Sequence, residues 1–185
     1  VYGPMGIGVL YGKRALLDAM PPFLTGGEMI ESVTRDGATY AELPHKFEAG
    51  TVNAAGAAGL DAALRYVGAV GFDAMRQREH ELTHYAFDAL SAIDHVHILG
   101  SLRWQEHNGI LTFTLDGVHP HDISEILASD GVNVRAGHHC AQPLLTHLGV
   151  NATVRASLAF YNTTEEIDRL ASSLASVRER MGYGK

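Results

Sequence analysis

Apolar positions recur at helical spacing in several stretches of the chain. From Ala54 to Val70 an alanine-rich segment sets Leu60, Leu64 and Val67 on one stripe, which predicts a helix. A second helix is predicted over Phe72–Ile93. A third is predicted over His121–Asp130, where Ile123, Ile126 and Leu127 share a face and Gly131 supplies the stop. Near the end, Thr163 and Glu166 have the spacing of a capping box. Ile167, Leu170, Leu174, Val177 and Met181 then stripe the helix behind it. Short apolar runs bounded by turn residues predict strands at Gly6–Gly12, Val96–Leu99, Ile110–Thr114, Val132–Val134 and Ala152–Leu158. Lys13–Met20 reads as a short helix stopped by Pro21-Pro22. Met29–Thr34 and Thr39–Glu42 flank Arg35-Asp36-Gly37, the pattern of a hairpin.

Strands and helices therefore alternate, and the class is mixed α/β. There is no internal repeat and no low-complexity linker. The composition shifts near residue 60 from glycine-rich loops to regular elements, so two parts are expected, 1–60 and 61–185. Of the 185 residues, 46% are hydrophobic, enough to bury a core, and only 19% are charged, which points to surface covered by another chain. The charge balance, 14 Lys+Arg against 21 Asp+Glu, excludes a basic nucleic-acid footprint. No apolar run approaches the roughly 18 residues of a membrane span. A single cysteine excludes an internal disulfide and points to a reducing, cytoplasmic compartment. The opening Val1-Tyr2-Gly3-Pro4 has no signal-peptide pattern and reads as the middle of an element, so a piece of a longer polypeptide is expected.

The densest chemistry is Arg135-Ala-Gly-His-His-Cys140-Ala-Gln-Pro143. A lone cysteine on a glycine-containing loop, beside two imidazoles and an arginine, has surroundings that favour a thiolate, the form a nucleophile needs. The competing reading is a buried structural cysteine. His138, His139 and Cys140, with His119 and His121, also raise the question of a metal. Adjacent side chains on extended backbone point apart, however, and no metal site is expected. Arg135 and Arg155 both sit at the ends of short apolar strands and are suited to hold a carboxylate through paired hydrogen bonds; surface ion pairs are the alternative. Gly50-Thr51, ahead of a helix, offers backbone N–H groups and a hydroxyl to an anion, or else Thr51 or Asn53 is an ordinary cap.

Four segments in order resemble one family: Tyr2-Gly-Pro-Met-Gly-Ile-Gly-Val-Leu-Tyr-Gly12, Phe47-Glu-Ala-Gly-Thr51, the Arg135–Pro143 loop, and Arg155-Ala-Ser-Leu-Ala-Phe-Tyr-Asn-Thr163. They are similar to the group II, SUF-type cysteine desulfurases, enzymes dependent on pyridoxal phosphate (PLP), over residues 2 to about 180. The resemblance implies an aspartate-aminotransferase-like fold (PLP fold type I). In that frame 1–60 is the end of the PLP-binding large domain and 61–185 the C-terminal small α/β domain. It implies a protein about twice this length, with the Schiff-base lysine in a His-Lys pair immediately before Val1; Lys13, Lys46 and Lys185 do not match that lysine.

Carried over by position, Cys140 is the nucleophile and Arg155 binds the substrate carboxylate, with Arg135 in support. Thr51, beside Gly50, reaches the PLP phosphate of the other subunit of a homodimer. Val52 departs from the family, which commonly has proline there. The implied reaction is L-cysteine to L-alanine, with sulfur captured as a persulfide on Cys140 for iron–sulfur cluster assembly. The persulfide would then pass to a small sulfur-acceptor protein of the SUF system. His121 is a candidate contact for that partner, against the simpler reading of a solvated histidine at a helix start next to Asp122. The alternatives are a selenocysteine lyase or related PLP enzyme, or, for this chain alone, an inert fragment.

Overall fold

The computed structural model describes residues 2–183 and divides into two units that part between Val70 and Gly71. The division falls at the end of a helix, beyond the composition shift near residue 60. Composition changes where regular elements begin, whereas units part where packing changes.

The first unit contains α1 (Arg14–Ala19), a hairpin of β1 (Ile30–Val33) and β2 (Ala38–Tyr40), a single 3-10 turn at His45–Phe47, and α2 (Ala54–Val70). The hairpin is antiparallel, with Ile30 opposite Tyr40 and Val33 opposite Ala38. The Ser32 and Thr39 hydroxyls meet across it at 2.8 Å. Asn53 caps α2, its side-chain oxygen accepting from the Gly56 N–H at 2.9 Å. The strand expected over Gly6–Gly12 does not form. Its start is instead held against α2: the Asn53 amide donates to the Gly6 carbonyl at 3.2 Å. Pro4 packs so closely on Gly59 that a Cβ there would lie 2.8 Å from the proline ring. With no neighbouring strand among the described residues, Val9 and Tyr11 stay exposed, at 81% and 91%.

The second unit is one four-stranded antiparallel sheet covered by helices. Its elements are α3 (Phe72–Ser91), β3 (Val96–Ile98), β4 (Ile110–Leu115), α4 (Pro120–Ser129), β5 (Arg135–Gly137), α5 (Gln142–His147), β6 (Thr153–Ser157) and α6 (Thr164–Arg180). The strand order is β3-β4-β6-β5. Leu111, Phe113 and Leu115 of β4 alternate inward, as do Val154 and Ala156 of β6. They meet Leu82, Ala86 and Leu90 of α3, Ile123 and Leu127 of α4, and the Ile167–Leu170–Leu174–Val177 stripe of α6 in one core. The expected capping box is complete. The Thr163 hydroxyl accepts from the Glu166 N–H, and the Glu166 carboxylate accepts from the Thr163 N–H at 3.0 Å. Asp130, just after α4, accepts from Ser173 and Arg180 of α6 and joins the two helices.

The strand expected at Val132–Val134 lies three residues later, at Arg135–Gly137. The Val132 N–H bonds back to the Leu127 carbonyl at 2.8 Å in the helix-ending turn, so the valines serve as half-buried core fillers and not as ladder residues. Among the described residues no helix is long and apolar enough to cross a membrane.

Phe113 is wholly buried at the centre of this core. Phe113→Ala is expected to destabilise the protein by roughly 3–5 kcal/mol. Urea denaturation checks this, and an unchanged midpoint would contradict the core assignment.

Candidate functional site

The sheet face opposite the helices is where the chemistry of the second unit gathers. Alternation along β6 sends Val154 and Ala156 to the core and Arg155 to the other face. Pairing places Arg135 directly opposite Arg155 on β5 and Thr112 directly opposite it on β4. The two arginines do not end their strands as expected: Arg135 opens β5 and Arg155 is the middle residue of β6. Directly opposed residues share a face with their side chains in reach of each other, and like charges so placed repel. The pair lines a surface depression with Asn133, Val134 and Ser157. The Arg155 Nε is buried and has no hydrogen-bond partner. A buried donor left unmade costs about 1–3 kcal/mol. Two facing guanidiniums with an unsatisfied N–H form a site whose electrostatics are completed by an anion, and a carboxylate matches the guanidinium fork.

The strand that begins at Arg135 leads straight into the cysteine loop. Gly137 has φ 127°, and His139 and Cys140 have φ 53° and 58°. A left-handed conformation costs a non-glycine residue roughly 1–2 kcal/mol, so this turn is held by its surroundings. The Ala141 N–H donates to the His138 carbonyl at 2.9 Å, closing the turn, and α5 follows at once. Cys140 is exposed at its tip, which removes the buried-structural alternative.

The two histidines part company. His138 is exposed. His139 is half-buried, and its Nε2 lies 2.9 Å from the Thr153 hydroxyl and 3.2 Å from the Thr153 carbonyl. Burial, then the neighbouring Arg155 guanidinium, push the His139 imidazole below its usual range, so the ring is neutral at neutral pH. The expectation of two imidazoles favouring a thiolate does not hold for His139, since a neutral ring hydrogen-bonded to the sheet supplies no charge. Thr153, which receives it, was not singled out by the sequence, because nothing local marks a buried strand threonine as the partner of a loop fourteen residues away.

In the first unit Gly50 has φ 77° and its N–H donates to the Gly27 carbonyl at 2.8 Å. A Cβ on Gly26 would lie 3.3 Å from the Gly50 nitrogen, so the two glycine loops run in close contact. Because Asn53 is the cap of α2, Thr51 is left exposed just before the helix, and its hydroxyl is not used in capping. The exposed Thr51 hydroxyl, ahead of a 17-residue helix, fits the phosphate end of a cofactor, while the Gly50 N–H is spent on holding the two loops together. Lys46 does not fit as the cofactor-bearing amine, since its Nζ donates to the carbonyls of Leu17 and Asp18 at 3.2 and 2.9 Å. His121 lies inside the first turn of α4, exposed, with its N–H donating to Nδ1 of the capping His119 at 3.3 Å.

The aminotransferase class-V family matches residues 1–170. The chain belongs to the class-V aminotransferases. It is 50% identical over 181 residues to a probable cysteine desulfurase of Staphylococcus aureus (strain Mu50 / ATCC 700699), covering 98% of this chain and 44% of the relative. Among solved structures it is similar to the cysteine desulfurase CsdA (S-sulfonic acid) of Escherichia coli. That match has a TM-score of 0.89 and 42% identity and covers 97% of this chain and 44% of that one. It is also similar to the apo cysteine desulfurase of Thermococcus onnurineus NA1, with TM-score 0.90 and 39% identity, over 96% of this chain and 44% of that one. This chain thus spans less than half the length of these relatives. The shared fold is aspartate-aminotransferase-like, and enzymes of this family depend on PLP.

The surroundings of His139 set its titration. A folded-state value below the unfolded one means that its contribution to stability is present above about pH 6.5 and declines as pH falls through the folded value. NMR titration is expected to place the His139 midpoint below 6.5, and Arg155→Gln is expected to raise it. A midpoint at or above 6.5 in the unsubstituted protein would contradict this geometry.

Proposed function

We propose that this chain carries the sulfur-accepting part of a cysteine desulfurase, which converts L-cysteine to L-alanine and keeps the sulfur as a persulfide on Cys140. The observation that carries this reading is the opposed pair Arg135 and Arg155, with the unsatisfied Arg155 Nε, on β6 and on β5, the strand that leads into the exposed Cys140 turn. A facing guanidinium pair calls for a carboxylate, and the thiol stands at the end of the strand that Arg135 opens. The identity to cysteine desulfurases supports the same reading.

Arg155 holds the substrate carboxylate, with Arg135 beside it, and so orients the amino acid for reaction. PLP, when bound, supplies an electron sink at the amino-acid carbons. The Thr51 hydroxyl would hold its phosphate, with Gly50 shaping the loop beside it, and would serve the cofactor of the other subunit in a homodimer. The Cys140 thiolate attacks the substrate sulfur. The new Sγ–S bond forms as the Cβ–S bond breaks, the electron pair moves to the carbon framework, and protonation there gives alanine. No external oxidant or reductant is needed, since the persulfide sulfur is oxidised as the substrate carbon is reduced. In this reading the first unit is the end of the large, PLP-binding domain and the second is the small domain. The enzyme is of the SUF type in a reducing cytoplasm, and His121, exposed at the start of α4, contacts the small acceptor protein that takes the persulfide.

In the full-length, PLP-loaded enzyme, Cys140→Ala is expected to lower sulfur release from L-cysteine at least about 100-fold. Arg155→Leu is expected to raise KM roughly 10- to 100-fold through loss of a charged hydrogen-bond pair. Normal sulfide and persulfide output from the alanine variant would overturn the assignment of Cys140.

A further inference from the structure

Within the cysteine turn, one contact ties the reactive loop to the sheet. The Ala141 N–H to His138 carbonyl bond closes the turn on itself but fixes nothing outside it. The His139 ring reaches out of the turn to Thr153 Oγ1 at 2.9 Å and to the Thr153 carbonyl at 3.2 Å. Thr153 is wholly buried and opens β6, two residues before Arg155. A neutral imidazole protonated on Nε2 donates to either oxygen. The same turn places two non-glycine residues, His139 and Cys140, in the left-handed region, a geometry that relaxes unless something holds it.

We propose that His139 is a positioning residue, whose ring anchors the Cys140 turn to β6 and so fixes the thiol relative to the carboxylate-binding Arg155. The inference rests on the reading of Cys140 as the sulfur acceptor. His139 acts through the loop, by way of its bond to Thr153. Its loss displaces the nucleophile while leaving both arginines in place. The damage therefore falls on the rate of sulfur capture and not on substrate binding. Misplacing a reacting group by about 1 Å costs on the order of 100-fold in rate.

The test uses the full-length, PLP-loaded enzyme with His139→Leu, His139→Asn and His139→Gln. Glutamine carries its amide nitrogen about as far from the backbone as the imidazole Nε2, whereas asparagine is too short. The expected result is a fall in kcat of about 10- to 100-fold for the leucine and asparagine variants, with KM for L-cysteine unchanged and most of kcat recovered by glutamine. Hydrogen exchange of residues 138–141 gives a readout independent of turnover: it is expected to accelerate in the leucine and asparagine variants and to stay slow with glutamine. If the leucine variant does not fold, the asparagine–glutamine comparison decides alone. Equal kcat and equal exchange in the asparagine and unsubstituted enzymes would overturn the proposal, as would a glutamine variant no better than asparagine. Should the unsubstituted enzyme fail to turn over L-cysteine, the functional reading falls while the exchange comparison still decides whether His139 anchors the turn.

Discussion

Strand β6 has both faces committed, and the period of a strand allows only one register that satisfies them. Val154 and Ala156 must enter the core beneath α4 and α6, and Thr153 and Arg155 take the remaining positions. A slip of one residue would bury a guanidinium among Phe113, Ile123 and Leu174 and turn Val154 outward. The hydrophobic core therefore sets the orientation of Arg155. The same ladder then brings Arg135 opposite it, because β5 pairs with β6 as Arg135↔Arg155, Ala136↔Val154 and Gly137↔Thr153. Site geometry here is a by-product of core packing, and the precision of the site is that of a sheet and not of a loop.

That placement carries a cost. Directly opposed like charges weaken a strand pair, and a buried N–H without a partner adds to the penalty. β5 is three residues long and sits at the edge of the sheet, so it has little ladder energy to offset the repulsion. The compensation comes from outside the pair. Val132 and Val134 pack against the core just before the strand. A local conflict braced from outside the pair is the signature of a surface kept for a ligand. An ion pair inside the protein would have removed the conflict, and among the described residues no carboxylate is placed to do so for either arginine.

Much of this was legible in the sequence, and the reasons are physical. Long amphipathic helices announce themselves through period 3.6, and so α2, α3, α4 and α6 stand within two residues of their expected bounds. The capping box at Thr163 is a local device between residues three apart, and local devices survive into the fold. The strand misreadings share one cause. Gly6–Gly12 and Val132–Val134 are short apolar runs, and apolar character alone does not say whether a neighbouring strand exists to pair with. Cys140, Arg135, Arg155, Gly50 and Thr51 were singled out by residue type and order, but their relations were not. That the arginines face each other is a fact of register. That Thr51 is free of capping follows from the rival choice of Asn53, and that Thr153 holds His139 is a contact across fourteen residues.

The split fate of His138 and His139 shows what kind of control this loop exerts on its cysteine. An adjacent imidazolium would act on the thiol through charge and would be screened by salt and lost with rising pH. His139 is instead drawn onto the sheet, where burial and Arg155 keep it neutral. Its influence on Cys140 is then steric and geometric: it holds two residues in a left-handed turn that neither would adopt freely. Such an anchor sits at a side-chain hydrogen bond on a half-buried ring, weaker than the β-ladder on one side and the helix α5 on the other. The proposed reaction requires a persulfide to be both formed beside the arginine pair and handed on at the surface. A turn with one breakable tether between two rigid elements can meet both demands, since releasing the ring frees the tip without disturbing Arg135 and Arg155.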